Sequence, residues 1–248
     1  SVTTDGDFRL EPDEARIDPA PHNKAFYESH LFGLSEYYRI QSGGKLAISG
    51  QVLPVGQNDC YKLSDIADYG PGEGASWTIE LLENLVVDMI EKADLEILND
   101  DLGFTLADFD DDNDKTYVIF VHAGSDWQSD IFRDSPNDIP TFFVTLGDSV
   151  QLQSFDSETG LQGALSECSI IPETTTQDGY LGSIAGALYH EFGHSLGLPD
   201  VYDTSTGLPA VGIWDLMDSG PNLLANINFG TEEEPDAEIV SGLLPPSL

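Results

Sequence analysis

Between residues 187 and 203 the chain reads ALYHEFGHSLGLPDVYD. His190 and His194 are four apart, and on a helix that spacing puts both imidazoles on one face, a turn from each other. Two imidazoles so placed can hold one zinc ion at about 2.0–2.1 Å each. Glu191, next to the first histidine, is turned away from ligation but can reach a metal-activated water, where a general base for hydrolysis is needed. Gly197 suits a left-handed helix terminus and Pro199 bars further helix, so the chain turns back toward the histidines. Asp200 follows ten residues after His190, where the longer pattern H-E-x-x-H-x-x-G-x-x-H ends in a third histidine. Carboxylate oxygen ligates zinc at about 2.0–2.2 Å, so two histidines and Asp200 would leave a fourth position open.

A chance H-E-x-x-H is the bland reading, and Gly197, Pro199, Asp200 and the downstream Met217 in GIWDLMDSG weigh against it. The alternative third ligand, a glutamate on a later helix, has poor candidates. Of Glu232, Glu233, Glu234 and Glu238, the first three form an acidic run without a helical apolar stripe. Asp203 reads as a loop acid, with support of the centre as its sharper alternative.

Several elements must position that stretch. Leu82, Leu85, Val86, Met89, Ile90 and Ala93 make one apolar stripe, which predicts a helix opening near Ser76 and lying against a sheet. Lys45–Val55 alternates like a strand or hairpin, and TYVIFVH (116–122) has the continuous apolar run of a central strand. TFFVTL (141–146) and VQLQSF (150–155) are two further strands, and Pro172 confines CSIIPE (168–173) to a sheet edge or a strand end. Residues 182–197 read as the helix carrying the motif. Without repeats or low-complexity linkers, the order fits one α+β domain behind an acidic strap or loose arm.

At 248 residues and 40% apolar content the chain can bury a real core. The net charge of −36 repels phosphate backbones and anionic lipid, which excludes nucleic-acid and membrane-surface roles. No apolar run approaches the roughly 18 residues of a membrane span. Cys60 and Cys168 fit either one disulfide or two buried thiols. In DFDDDNDK (108–115), Asp108, Asp110 and Asp112 alternate at a spacing suited to calcium, and a solvated acidic loop has equal weight.

HEFGHSLGLPDVYD with GIWDLMDSG closely resembles the immune inhibitor A-like secreted metallopeptidases, a metzincin-related group. Upstream, residues 25–52, 108–124 and CSIIPE resemble blocks of the same catalytic domain, so the likeness spans roughly 25–220. The resemblance implies zinc on His190, His194 and Asp200, with Glu191 as base and Met217 in a hydrophobic turn beneath the metal. It also implies a metzincin-like fold, a twisted mixed sheet with a backing helix and an active-site helix. The expected protein is a secreted, monomeric endopeptidase acting on protein or peptide substrates. Residues 1–24 would be an N-terminal arm and 25–248 the catalytic domain. Relatives carry a pro-segment and continue past GLLPPSL, so the chain reads as a mature, shortened version. Its acidic loop departs from theirs, with Asp111 and Asn113 where glycines are common. A catalytically silent binding module of the same fold is the competing reading, and intact Glu191 argues against it. A zinc hydrolase with another substrate is a third, opposed by the expected sheet edge at CSIIPE, to which an extended peptide can add.

Overall fold

The two faces of one central strand set the layers of the molecule. The computed structural model describes residues 7–65, 68–71, 75–100, 105–109, 117–156, 159–243 and 246. Its elements are α1 (Lys24–Gln41), α2 (Ile79–Asp100), β1 (Ile119–His122), β2 (Phe142–Phe155), β3 (Gln162–Pro172), β4 (Leu181–Gly182), α3 (Ile184–Ser195), β5 (Leu224–Asn228) and β6 (Ala237–Ser241). The first sheet has the order β1-β3-β2, with β1 parallel and β2 antiparallel to β3. Successive residues of a strand face opposite ways. Ile170 therefore meets Leu82, Leu85, Val86 and Met89 of α2, while Ile171 meets Leu34 and Tyr38 of α1 and Leu188 and Phe192 of α3. The arrangement is α+β with mixed sheets, and it covers the central strand on both faces.

The predicted stripe is the buried face of α2. Each of its large apolar side chains contributes about 1.5–3 kcal/mol when buried. The helix starts at Ile79, later than expected, because Thr78 caps it by accepting from the Leu81 amide at 3.3 Å.

Four strand expectations need correction. Lys45–Val55 is irregular, with Leu46 and Ile48 packed against the α1–α3 core, and no strand pairs with it among the described residues. The segment ending in β1 lies at the sheet's edge rather than its centre. Its apolar run reflects two covered faces: Val118 and Phe120 pack on the α2 side, and Tyr117, Ile119 and Val121 on the α3 side. β3, expected at an edge or an end, is the central strand, and Pro172 is its last residue. The two strands foreseen at 141–155 are one, β2, with pairing irregularities against β3.

α1 and the second sheet, β4-β6-β5, were not anticipated. The exposed acids Glu232, Glu233 and Glu234 lie in the connection between β5 and β6. Cys60 and Cys168 are free thiols, which decides against the disulfide. Among the described residues no helix is long and apolar enough to cross a membrane.

The described part of the acidic arm is a fastened strap. His22 Nδ1 lies 2.7 Å from Glu173 Oε1, and the Arg9 amide donates to the same oxygen at 2.6 Å. The other Glu173 oxygen accepts from the Gly124 amide at 2.8 Å. Burial works to raise the Glu173 pKa, and these bonds outweigh it and hold the carboxyl below its usual range. Asp18 accepts from the Ile184 amide at 3.0 Å, tying the strap to the first turn of α3. Arg16 then pairs with Asp236 and Glu238 at 2.5 and 2.6 Å, reaching the β5–β6 hairpin.

Candidate metal centre

Helix α3 begins where Ser183 accepts from the Ala185 amide and ends in a turn around Gly197. Gly197 has φ +84°, and the Leu198 amide reaches back to the Gly193 carbonyl at 3.1 Å, a Schellman-type closure that a side chain at 197 would strain. That closure leaves the Leu198 carbonyl 2.9 Å from His194 Nδ1. On the same helix face, His190 Nδ1 lies 2.8 Å from the Leu216 carbonyl. A carbonyl only accepts, so each Nδ1 carries the proton, and in a neutral ring Nε2 is then an unprotonated lone pair.

Both Nε2 atoms face the same atom. Asp200 Oδ1 is 3.3 Å from His190 Nε2 and 3.3 Å from His194 Nε2. It is buried and accepts no hydrogen bond. Burial lowers the His190 pKa from its usual value, which opposes reading the contact as a protonated ion pair. Three acceptors converging without a hydrogen between them repel one another unless a cation joins them. The residues present therefore fit a metal ion.

The residues around Met217 brace this group. Leu216 holds His190, and the Met217 carbonyl accepts from the Val201 amide at 2.8 Å, next to Asp200. A Cβ at Gly193 would lie 2.6 Å from Met217 Sδ and 3.0 Å from the Tyr38 hydroxyl oxygen, so glycine permits this close approach. Asp218 shapes the turn by accepting from the amides of Ala210, Val211 and Gly212 at 2.6–2.9 Å.

Glu191 is buried beside the histidines. Burial first, then the charges of Asp200 and Asp126, push its pKa up to about 8. Tyr202 is pushed up to about 12 by burial first and then by the charge of Asp200, so it keeps its proton. Its ring lies 6.4 Å from the His190 ring, and Phe143 of β2 lies 5.6 Å from the His194 ring.

The structure thus brings His190, Glu191, His194, Asp200 and Met217 together, and it leaves Asp203 outside. Asp203 is an exposed loop acid, bonded to the Ser205 amide at 2.9 Å and to the Ser205 hydroxyl at 2.6 Å. Sequence reasoning did not assign Tyr202, although it stands two residues from Asp200, and no spacing points to Asp126 or Phe143. The expected calcium ligands fall outside what can be described: Asp110 and Asp112 lie beyond the described residues, as does the side chain of Asp108. Asp130, Asp134 and Asp178 bring carboxylate oxygens within 4.8 Å of one another, a grouping common in so acidic a chain without any ion.

Residues 156–234 match the family model for the immune inhibitor A peptidase M6 catalytic domain. That stretch contains α3, Asp200, Tyr202 and Met217, so the likeness to immune inhibitor A-like metallopeptidases is supported over the residues that carry the motif. The match supports a metal-dependent peptidase, a hydrolase acting on protein or peptide substrates. No curated protein matches the chain.

Proposed function

We propose that this chain is a secreted, zinc-dependent endopeptidase with a metzincin-like catalytic domain over residues 25–248. In this reading His190, His194 and Asp200 hold zinc, Glu191 is the general base, and Met217 belongs to the hydrophobic turn under the ion. The observation that carries it is the equal 3.3 Å distance from Asp200 Oδ1 to each histidine Nε2. Ligands about 2.0–2.1 Å from a tetrahedral zinc are separated by about 3.3–3.4 Å, so the spacing supports zinc.

Zinc held there would supply Lewis acidity, polarising the scissile carbonyl and acidifying a water molecule. Glu191 takes a proton from that water as its oxygen adds to the carbonyl carbon. When the C–N bond breaks, Glu191 returns the proton to the departing amine. Its burial keeps bulk solvent from competing for that proton. Substrate would lie along β2. That strand pairs only with β3 among the described residues and carries Phe143 to the ring of His194, so an extended peptide can add to its free edge. The edge expected at CSIIPE is not available, since β3 is the central strand, and the edge open to a peptide is that of β2.

The test is cleavage of casein by the purified chain, with and without a zinc chelator. Cleavage should stop on chelation and return with added zinc. Cleavage that survives complete removal of metal would end the reading.

Calcium bound by Asp108, Asp110 and Asp112 is part of the proposal. Calorimetric titration should give heat of binding and a raised melting temperature. With neither change, the calcium assignment falls.

A further inference from the structure

We propose that Tyr38 and Ser169 are positioning residues for the metal-binding turn of α3: their hydroxyls pin the carbonyls on either side of the His190–Glu191 pair. The inference rests on the zinc reading of the centre.

His190, Glu191 and His194 belong to one helix, and the groups they must meet do not. The Leu216 carbonyl and Asp200 lie in the chain after α3, so a roll or slide of the helix would carry His190 away from both. Two buried hydroxyls oppose that movement. Tyr38 of α1 donates to the Tyr189 carbonyl at 2.6 Å, in the peptide that joins Tyr189 to His190. Ser169 of β3 donates to the Glu191 carbonyl at 3.3 Å, in the peptide that follows Glu191. Inside an α-helix each carbonyl already accepts from the amide four residues on, so the hydroxyls use second lone pairs and leave the helix intact. Carbonyls two residues apart lie about 200° apart around the helix axis, so the two grips come from nearly opposite sides.

Packing holds both donors in place. Ser169 shares a strand face with Ile171, which packs in the α1–α3 core. The Tyr38 ring lies 5.3 Å from the Phe192 ring, and its hydroxyl sits against Gly193, the residue before His194. The approach is reciprocal, since a Cβ at Gly33 of α1 would lie 2.5 Å from the Tyr189 hydroxyl oxygen. Burial pushes the Tyr38 pKa up, so the hydroxyl keeps the proton it donates.

Zinc affinity, measured by competition with a chromophoric chelator, tests the assignment. Tyr38→Phe keeps the ring and removes the donor. It should bind zinc about 10-fold more weakly than wild type, the lower end of the cost of losing a supporting partner. Tyr38→4-aminophenylalanine keeps a para donor and should restore most of the affinity. Ser169→Ala should weaken zinc by a smaller factor, because its bond is longer. In cobalt-substituted protein both hydroxyl deletions should alter the visible absorption bands, which report ligand geometry, and the amino analogue should not. In metal-free protein the His190 ring proton, held by Leu216, should exchange with water faster in Tyr38→Phe than in wild type. Wild-type zinc affinity and cobalt bands in both deletion variants would overturn the assignment, as would equal losses in the two variants at residue 38. Wild type that binds no zinc would bring down the zinc reading itself, and the exchange rate of the His190 proton would still decide the positioning role.

Discussion

Glu191→Gln is expected to abolish peptide cleavage while leaving zinc content at the wild-type level. The amide has nearly the size and shape of the carboxyl group but cannot accept the proton of the attacking water. Losing a general base lowers the rate by about 100- to 10,000-fold. Zinc should stay, because the group fitted to hold it consists of His190, His194 and Asp200. The melting temperature should not fall either, since the amide fills the same buried space and adds no charge beside Asp200 and Asp126. Casein cleavage rate, zinc by atomic emission and a thermal melt on the same preparation read all three. Cleavage near the wild-type rate would refute the assigned base, and loss of zinc would make Glu191 a ligand instead.

Asp200→Ala should lose zinc during dialysis, and Asp203→Ala should keep it. The two acids are three residues apart in an acidic loop, and their surroundings differ completely. Asp200 presents a buried oxygen without a hydrogen bond, 3.3 Å from both histidine nitrogens. Asp203 is exposed, and hydrogen bonds from the Ser205 hydroxyl and amide, followed by Thr206, hold its pKa below the usual range. Removing a true ligand from a three-residue site takes away a metal bond, whereas even a supporting residue typically costs only about 10–100-fold in affinity. Asp203→Ala should lose less than that, because its carboxylate serves its own turn. Metal content of the two dialysed variants decides, and the reverse order would overturn the ligand assignment.

The grouping of the candidate ligands was legible in the sequence because most of it is local. A spacing of four on a helix sets His190 and His194 side by side whatever surrounds them. Gly197 and Pro199 specify the turn that returns Asp200, since only particular backbone angles are open there. The stripe of α2 was legible for the same reason, as its period of 3.6 is a property of the helix itself.

Strand order was not legible. A strand's apolar run reports how many of its faces are covered, and β1 is covered on both while standing at the sheet's edge. Which strand is central depends on pairing across distant parts of the chain, with β3 inserted between β1 and β2. The carbonyl of Leu216 that fixes His190 comes from 26 residues away, and the strap reaches α3 from Asp18, 166 residues before Ile184. Asp126 faces Glu191 from the loop after β1. The sequence by itself determined which candidate ligands come together, because helix and turn geometry are set by neighbours along the chain. Only the tertiary structure decided what orients them, buries them and shifts their charge, because those partners are brought close by packing and leave no fixed spacing to read.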